Sequence, residues 1–305
     1  MTTSILDYIG NTPLIEIKKL NPYFPEIRIF AKIEGQNPGG SIKDRPALYM
    51  INDAEKKGIL TKEKTIIEAT SGNTGIALAM IAAIKGYKIK LFMPECVSLE
   101  RRKILESYNA KLVLTPAKEN TDGAIIRAKK LLNDYSDLYF MPDQFSNPAN
   151  PQSHYETTGP EILNQMPCQI NYFVCGVGST GTLMGTGKFL KENIQNIKIV
   201  AIEPVKNHKI QGLKNLEEAI VPSIYDSSLF DMHFYVNDNE SFELARKITR
   251  EEGVFAGMSS GAALAGTLKL AEKIKSGNIV TIFPDRGDRY LSTNLFASFC
   301  ANCPP

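Results

Sequence analysis

Lys43 lies in Asn37-Pro-Gly-Gly-Ser-Ile-Lys-Asp-Arg45, a turn running into a helix expected to begin near Ser41, which places its ammonium in the first helical turn. The helix dipole disfavours a cation there, so the amine gives up its proton more easily. A lysine of depressed pKa is the nucleophile Schiff-base chemistry needs. An exposed first-turn lysine offset by Asp44 would produce the same string. A second turn, Gly176-Val-Gly-Ser-Thr-Gly181, follows a strand ending at Val174 and opens a helix. Glycines let the backbone approach an anion, and the helix start presents free N–H groups and a favourable dipole. It is a literal G-x-G-x-x-G with Glu203 closing the next strand 22 residues after Gly181, so a dinucleotide fingerprint stays open beside a single-phosphate cradle. The hydroxyls of Ser179, Thr180 and Thr182 and the mid-chain position lean toward one phosphate. A third turn, Thr70-Ser-Gly-Asn-Thr-Gly75, also joins strand to helix. Its hydroxyls and amide suit a carboxylate, although Ser, Asn and Thr are equally the residues of a simple N-cap.

Taken together, an amine nucleophile, a phosphate cradle and a carboxylate cradle are what pyridoxal phosphate requires when its substrate is an amino acid. A fourth turn, Gly257-Met-Ser-Ser-Gly261, could then offer a hydroxyl to the pyridine nitrogen; otherwise it caps the helix that begins with Ala262.

Elements that position these turns alternate regularly. Short β-branched runs at 65–69, 88–93, 111–114, 138–141, 170–174, 197–202 and 278–283 read as buried strands. Helical segments at 74–85, 99–108, 123–132, 181–191, 241–252 and 261–274 lie between them. Such alternation predicts an α/β architecture with mostly parallel sheets, which bind ligands at the carboxyl ends of their strands. Residues 142–151, with three prolines in ten residues, interrupt both periodicities and read as a crossing between two lobes.

The 305 residues are enough for two domains at roughly 150 residues each. With 43% hydrophobic and 22% charged residues the composition is that of a globule, which sets aside disorder and membrane spans. A net charge of +2, from scattered residues, gives no support to a nucleic-acid partner. No secretory signal is expected at the N-terminus, and the five cysteines (Cys96, Cys168, Cys175, Cys300, Cys303) suit reduced thiols in a cytoplasm. Cys300 and Cys303 form a C-x-x-C without a second pair, and His154, His208 and His233 are too dispersed to suggest a metal cluster, so no metal is expected.

Residues 37–45, 70–75, 178–182 and 257–261, with Asp285-Arg-Gly-Asp-Arg-Tyr-Leu-Ser-Thr293, together resemble the cysteine synthases. These belong to the β-family (fold type II) of pyridoxal-phosphate enzymes that also holds cystathionine β-synthase. The resemblance runs from Ile9-Gly-Asn-Thr-Pro-Leu14 to Thr293, and the 285–293 string and Thr74-Gly-Ile-Ala-Leu-Ala-Met80 look closer to the B type than to the A type. It implies that Lys43 forms the internal aldimine, Asn73 bonds the cofactor's 3-hydroxyl, Gly178, Ser179, Thr180, Gly181 and Thr182 hold its phosphate, and Ser259 faces the ring nitrogen. Thr70, Ser71, Thr74 and Gln144 would receive the substrate carboxylate. The implied organisation is a smaller α/β lobe at 41–144 and a larger lobe of 1–40 plus 145–305 that binds the cofactor.

The implied reaction is β-replacement, making L-cysteine from O-acetyl-L-serine or a related activated serine and sulfide through an α-aminoacrylate. Cystathionine β-synthase-like chemistry or release of hydrogen sulfide from cysteine would use the same scaffold; an NAD-dependent oxidoreductase is a distant alternative. A homodimer also follows from the resemblance alone, which leaves docking of serine acetyltransferase open. Where B-type enzymes often carry Arg-Arg-Trp, this chain has Gly212-Leu-Lys-Asn-Leu216, which argues against a bulky anionic sulfur donor.

Overall fold

The computed structural model describes residues 3–21, 23–70, 72–97 and 99–296; Ser71, Cys300 and Cys303 lie outside them. Two sheets organise the chain. The larger has the order β1 (Leu14–Ile17), β2 (Ile27–Ile33), β10 (Gly277–Phe283), β7 (Tyr172–Gly176), β8 (Lys198–Pro204), β9 (Met232–Val236). The smaller has the order β5 (Lys111–Thr115), β4 (Lys88–Pro94), β3 (Thr65–Ala69), β6 (Tyr139–Phe140). All neighbours are parallel except β1 and β2, as the strand–helix alternation requires.

Parallel strands covered on both faces read as continuous apolar runs, and here the period of two assigns each residue to a layer. On one face of the larger sheet Ile29, Ala31, Val200, Ile202, Ile279 and Phe283 pack with α8 (Asp238–Glu252) and α9 (Met258–Ala271). On the other, Phe30, Phe173, Ile199, Ala201, Val280 and Ile282 pack with Leu183 and Leu190 of α7 (Gly181–Asn193). The smaller sheet is covered by α1 (Asp44–Lys56) and α2 (Asn73–Lys85) on one side and by α4 (Asn120–Asp134) on the other. Helix α2 is buried from Thr74 through Ala82, which is why its sequence lacks a polar face. Helix α3 (Leu99–Ser107) follows β4, while α5 (Ala149–Ser153) and α6 (Gly159–Gln165) flank a π-helical turn at His154–Thr158.

Three strands do not stand out in the sequence: β1, β2 and β9. In β2 the pattern is masked by Arg28 and by Lys32, a residue with no exposed surface. The Lys32 ammonium is satisfied inside by Thr12 O at 2.6 Å, Gln165 Oε1 at 2.8 Å and the Glu161 carboxylate at 2.7 Å. A buried charge with such partners reads in sequence as a solvent residue. Helix α1 begins at Asp44 instead of Ser41, leaving Lys43 as its N-cap. The 142–151 stretch runs from β6 into α5, which starts within it. Among the described residues no helix is long and apolar enough to cross a membrane.

Candidate active site

The carboxyl ends of β2, β3, β7 and β10 feed the turns singled out above, and one segment ties them. Ile42 N donates to Pro284 O (2.8 Å), Ser41 bridges Asp285, and Gly257 N donates to Asp285 O (3.2 Å), so the lysine turn and the Ser259 helix are anchored to the residues just after β10. A cleft of about 1010 Å³ opens there, lined by Lys43, Thr70, Asn73, Thr74, Gln144, Gly178 and Ser179 among others.

Lys43 Nζ donates to Ser179 Oγ at 3.0 Å, across 136 positions of sequence. Burial pushes its pKa down to about 8, opposed by the Asp285 carboxylate. Cys175 lies close as well, but burial raises its thiol to about 12, so it is neutral at pH 7. Asp44 does not offset Lys43 as an exposed pair would: its carboxylate, pushed up to about 7 by burial, accepts from Gly39 N at 2.5 Å.

The 176–181 turn is shaped for close approach. Thr180 adopts φ +69°, and a Cβ on Gly178 would lie 2.5 Å from Gly212 O. Helix α7 starts with no side-chain cap, so its first N–H groups keep their donor capacity. Thr180 Oγ1 is buried without a hydrogen-bond partner among the described residues. A free hydroxyl donor, uncapped helix N–H groups and an amine 3.0 Å from the loop's serine are the donor set an anionic aldehyde would need. At Gly181 a Cβ would sit 2.0 Å from Asn150 Oδ1, and Asn150 Nδ2 reaches Ser179 Oγ at 3.3 Å. Gly181→Ala is therefore expected to displace Asn150 and the loop, weakening pyridoxal-phosphate affinity about tenfold by loss of one charge-assisted contact. Titration of the apo-protein by fluorescence checks this; unchanged affinity would show that the loop absorbs the methyl group.

Thr70, Thr74 and Gln144 line the same cleft, with Thr74 Oγ1 donating to Gln144 Oε1 at 2.8 Å. Asn73 Nδ2 donates to Asp285 Oδ2 at 2.7 Å, and Arg289 donates to Asn73 Oδ1 and to Gly39 O. Tyr290 donates to the same Asp285 oxygen at 2.5 Å. Thr180, Gly181, Thr182 and Ser259 do not line the cleft but stand buried beside it. Ser259 Oγ is 3.9 Å from where a Gly212 Cβ would be, and Gly212 lines the cleft. Glu203, the acidic residue of the dinucleotide alternative, is occupied by Leu216 N at 2.7 Å.

Several residues of the site carry no sequence signal. Asn150 and His154 reach it only through long-range packing. Lys214 lines the cleft with its ammonium 4.3 Å from the Phe145 ring centroid, its pKa lowered by burial against the pull of Asp122. Arg101 stacks 5.3 Å over Tyr290 and sits beside Gly72.

A lysine, an anion loop and a carboxylate-sized cradle on one α/β cleft define a class, and the family described as pyridoxal-phosphate dependent enzyme matches residues 5–285. The chain belongs to the cysteine synthase family of these enzymes. It is 46% identical over 301 residues to a cysteine synthase of Aquifex aeolicus, covering 96% of this chain and 92% of that one. It is 43% identical over 293 residues to cysteine synthase B of Pseudomonas aeruginosa, covering 96% and 97%. A solved structure of an O-ureido-L-serine synthase superposes with a TM-score of 0.92 at 39% identity, covering 99% and 98%.

Proposed function

We propose that this enzyme makes L-cysteine by β-replacement on O-acetyl-L-serine, or a related activated serine, with sulfide as nucleophile. The observation that carries the reading is the meeting in one cleft of the Lys43 amine, held on Ser179, with Thr70, Thr74 and Gln144. Pyridoxal phosphate, when bound, supplies the electron sink that makes a substrate Cα–H acidic and lets a β-substituent leave.

The chain's own groups do the rest. Gly178, Ser179, Thr180, Gly181 and Thr182 hold the phosphate through α7 N–H groups and hydroxyls. Asn73 keeps one amide N–H beyond that given to Asp285, enough for the cofactor's 3-oxygen. Thr70, Thr74 and Gln144, with Ser71, bind the substrate carboxylate and so orient its Cα–H. Lys43 Nζ takes that proton and later returns one. Ser259 meets the ring nitrogen with a neutral hydroxyl, which cannot stabilise a protonated ring as a carboxylate would; this favours a substrate whose β-group leaves promptly. Residues 41–144 act as a smaller lobe closing on 1–40 plus 145–305, excluding water from the reacting centre.

The test is rapid-mixing absorbance of the holoenzyme with O-acetylserine, O-phosphoserine, serine and cysteine in turn, followed by sulfide and product analysis. O-acetylserine should react fastest and yield cysteine. Fastest reaction with cysteine itself, releasing sulfide, would overturn the synthetic assignment.

A further inference from the structure

His154 has no exposed surface, and neither ring nitrogen is idle: Nδ1 lies 2.9 Å from Thr158 Oγ1 and Nε2 lies 3.2 Å from Thr182 Oγ1. Thr182 stands in the first turn of α7, inside the anion loop. The contact depends on two local departures from regular structure. The backbone at His154–Thr158 is a π-helical turn, a form that recurs at functional sites. On the facing helix Gly185 lets the chains touch: a Cβ there would lie 2.0 Å from Pro151 O and 2.9 Å from His154 Cβ.

Burial, with the Arg45 and Lys43 cations nearby, holds the imidazole well below its usual range, so the ring is neutral and carries one N–H and one lone pair. That allows only two arrangements of the hydrogen-bond chain. If Nδ1 carries the proton, it donates to Thr158, and Thr182 must spend its own O–H on Nε2. If Nε2 carries the proton, it donates to Thr182, Thr158 donates to Nδ1, and the Thr182 hydroxyl proton is left to turn into the loop. An anion in the loop selects the second arrangement, because only that one presents a donor to it.

We propose that His154 is a positioning residue for the cofactor phosphate: as the Nε2–H tautomer it orients the Thr182 hydroxyl so that it donates into the anion loop. This rests on the reading that residues 178–182 hold that phosphate.

Two measurements test it. Long-range 1H–15N correlation spectra of the wild-type holoenzyme, with His154 assigned by its loss in His154→Gln, should show the proton on Nε2; a proton on Nδ1 overturns the proposal without any variant having to fold. Second, pyridoxal-phosphate affinity is measured for His154→Leu, His154→Gln, Thr182→Val and the His154→Leu/Thr182→Val pair. His154→Gln, whose amide nitrogen can stand where Nε2 stood, should stay near wild type, while His154→Leu and Thr182→Val should each weaken binding about tenfold, the loss of one hydrogen bond to a charged group. The double variant should be no weaker than Thr182→Val alone. Additive losses would show that His154 acts by general packing and would refute the relay. Unchanged affinity in Thr182→Val would instead refute the phosphate assignment of Thr182 on which the relay stands, so the two failures are told apart.

Discussion

Lys43→Ala is expected to abolish covalent retention of pyridoxal phosphate and to reduce turnover by about a thousandfold or more, in the range that a positioned acid–base group contributes. The reason is local. Lys43 Nζ stands 3.0 Å from the Ser179 hydroxyl, within the turn assigned to the phosphate. Its pKa, pushed down to about 8, leaves about a tenth of the amine unprotonated at pH 7, against well under a thousandth for an ordinary lysine. The sign of the pH dependence follows. Condensation with an aldehyde needs the free amine, so reconstitution of the apo-protein should quicken as pH rises and level off above about 8. Borohydride reduction and peptide mapping of the wild type should place the adduct on the peptide containing Lys43. An adduct on another lysine, or a variant that keeps the visible absorbance of bound cofactor, would remove Lys43 from the reaction.

The turns at 70–75 and 176–181 were legible in the sequence because each obeys a local rule of strand, small residues and helix, and the lysine turn at 37–45 by its small residues and the helix after it. That the lysine turn meets the 257–261 turn was not, because it depends on Pro284 and Asp285, which bond to the lysine turn and to Gly257 across more than 200 and about 28 positions respectively. The Asp285-Arg-Gly-Asp-Arg-Tyr string was visible as a resemblance, yet what Asp285, Arg289 and Tyr290 do emerges only when Asn73 and Gly39 are brought beside them. Strand β2 was hidden for a related reason. A lysine in a strand looks solvated until its three internal partners are in place. Asn150 and His154 fall where prolines and a π turn blur every period, so no pattern marks them.

The second large effect concerns stability. Arg45, two residues after Lys43 and 1% exposed, donates from Nε and Nη2 to the Glu34 carboxylate (2.8 Å each) and from both Nη atoms to Glu161 (2.6 and 2.7 Å). Glu161 also pairs with Lys32, so two cations and two carboxylates close a network between β2, α1 and α6. Glu34 has no exposed surface; without Arg45 it would keep, among the described residues, only Thr12, at 2.6 Å, and the Asn37 amide, at 2.9 Å, as direct side-chain donors. Arg45→Ala should therefore destabilise the protein by about 3–5 kcal/mol, the cost of stranding a buried charge, which exceeds any gain the pair made over apolar packing. The loss should depend on pH. In the wild type the Arg45 charge holds the Glu34 carboxyl below its usual range despite burial, so its contribution is present above the unfolded carboxyl value and fades as the solution is acidified. In the variant desolvation is opposed by the Thr12 hydrogen bond and the Lys32 charge without Arg45, so the carboxyl rises, and the folded state is penalised most at neutral pH and least in acid. Urea unfolding of both proteins should thus show a gap at pH 7 that narrows toward pH 5. Equal gaps at the two pH values would mean that Arg45 supports α1 through packing of its stem instead of through the Glu34 charge.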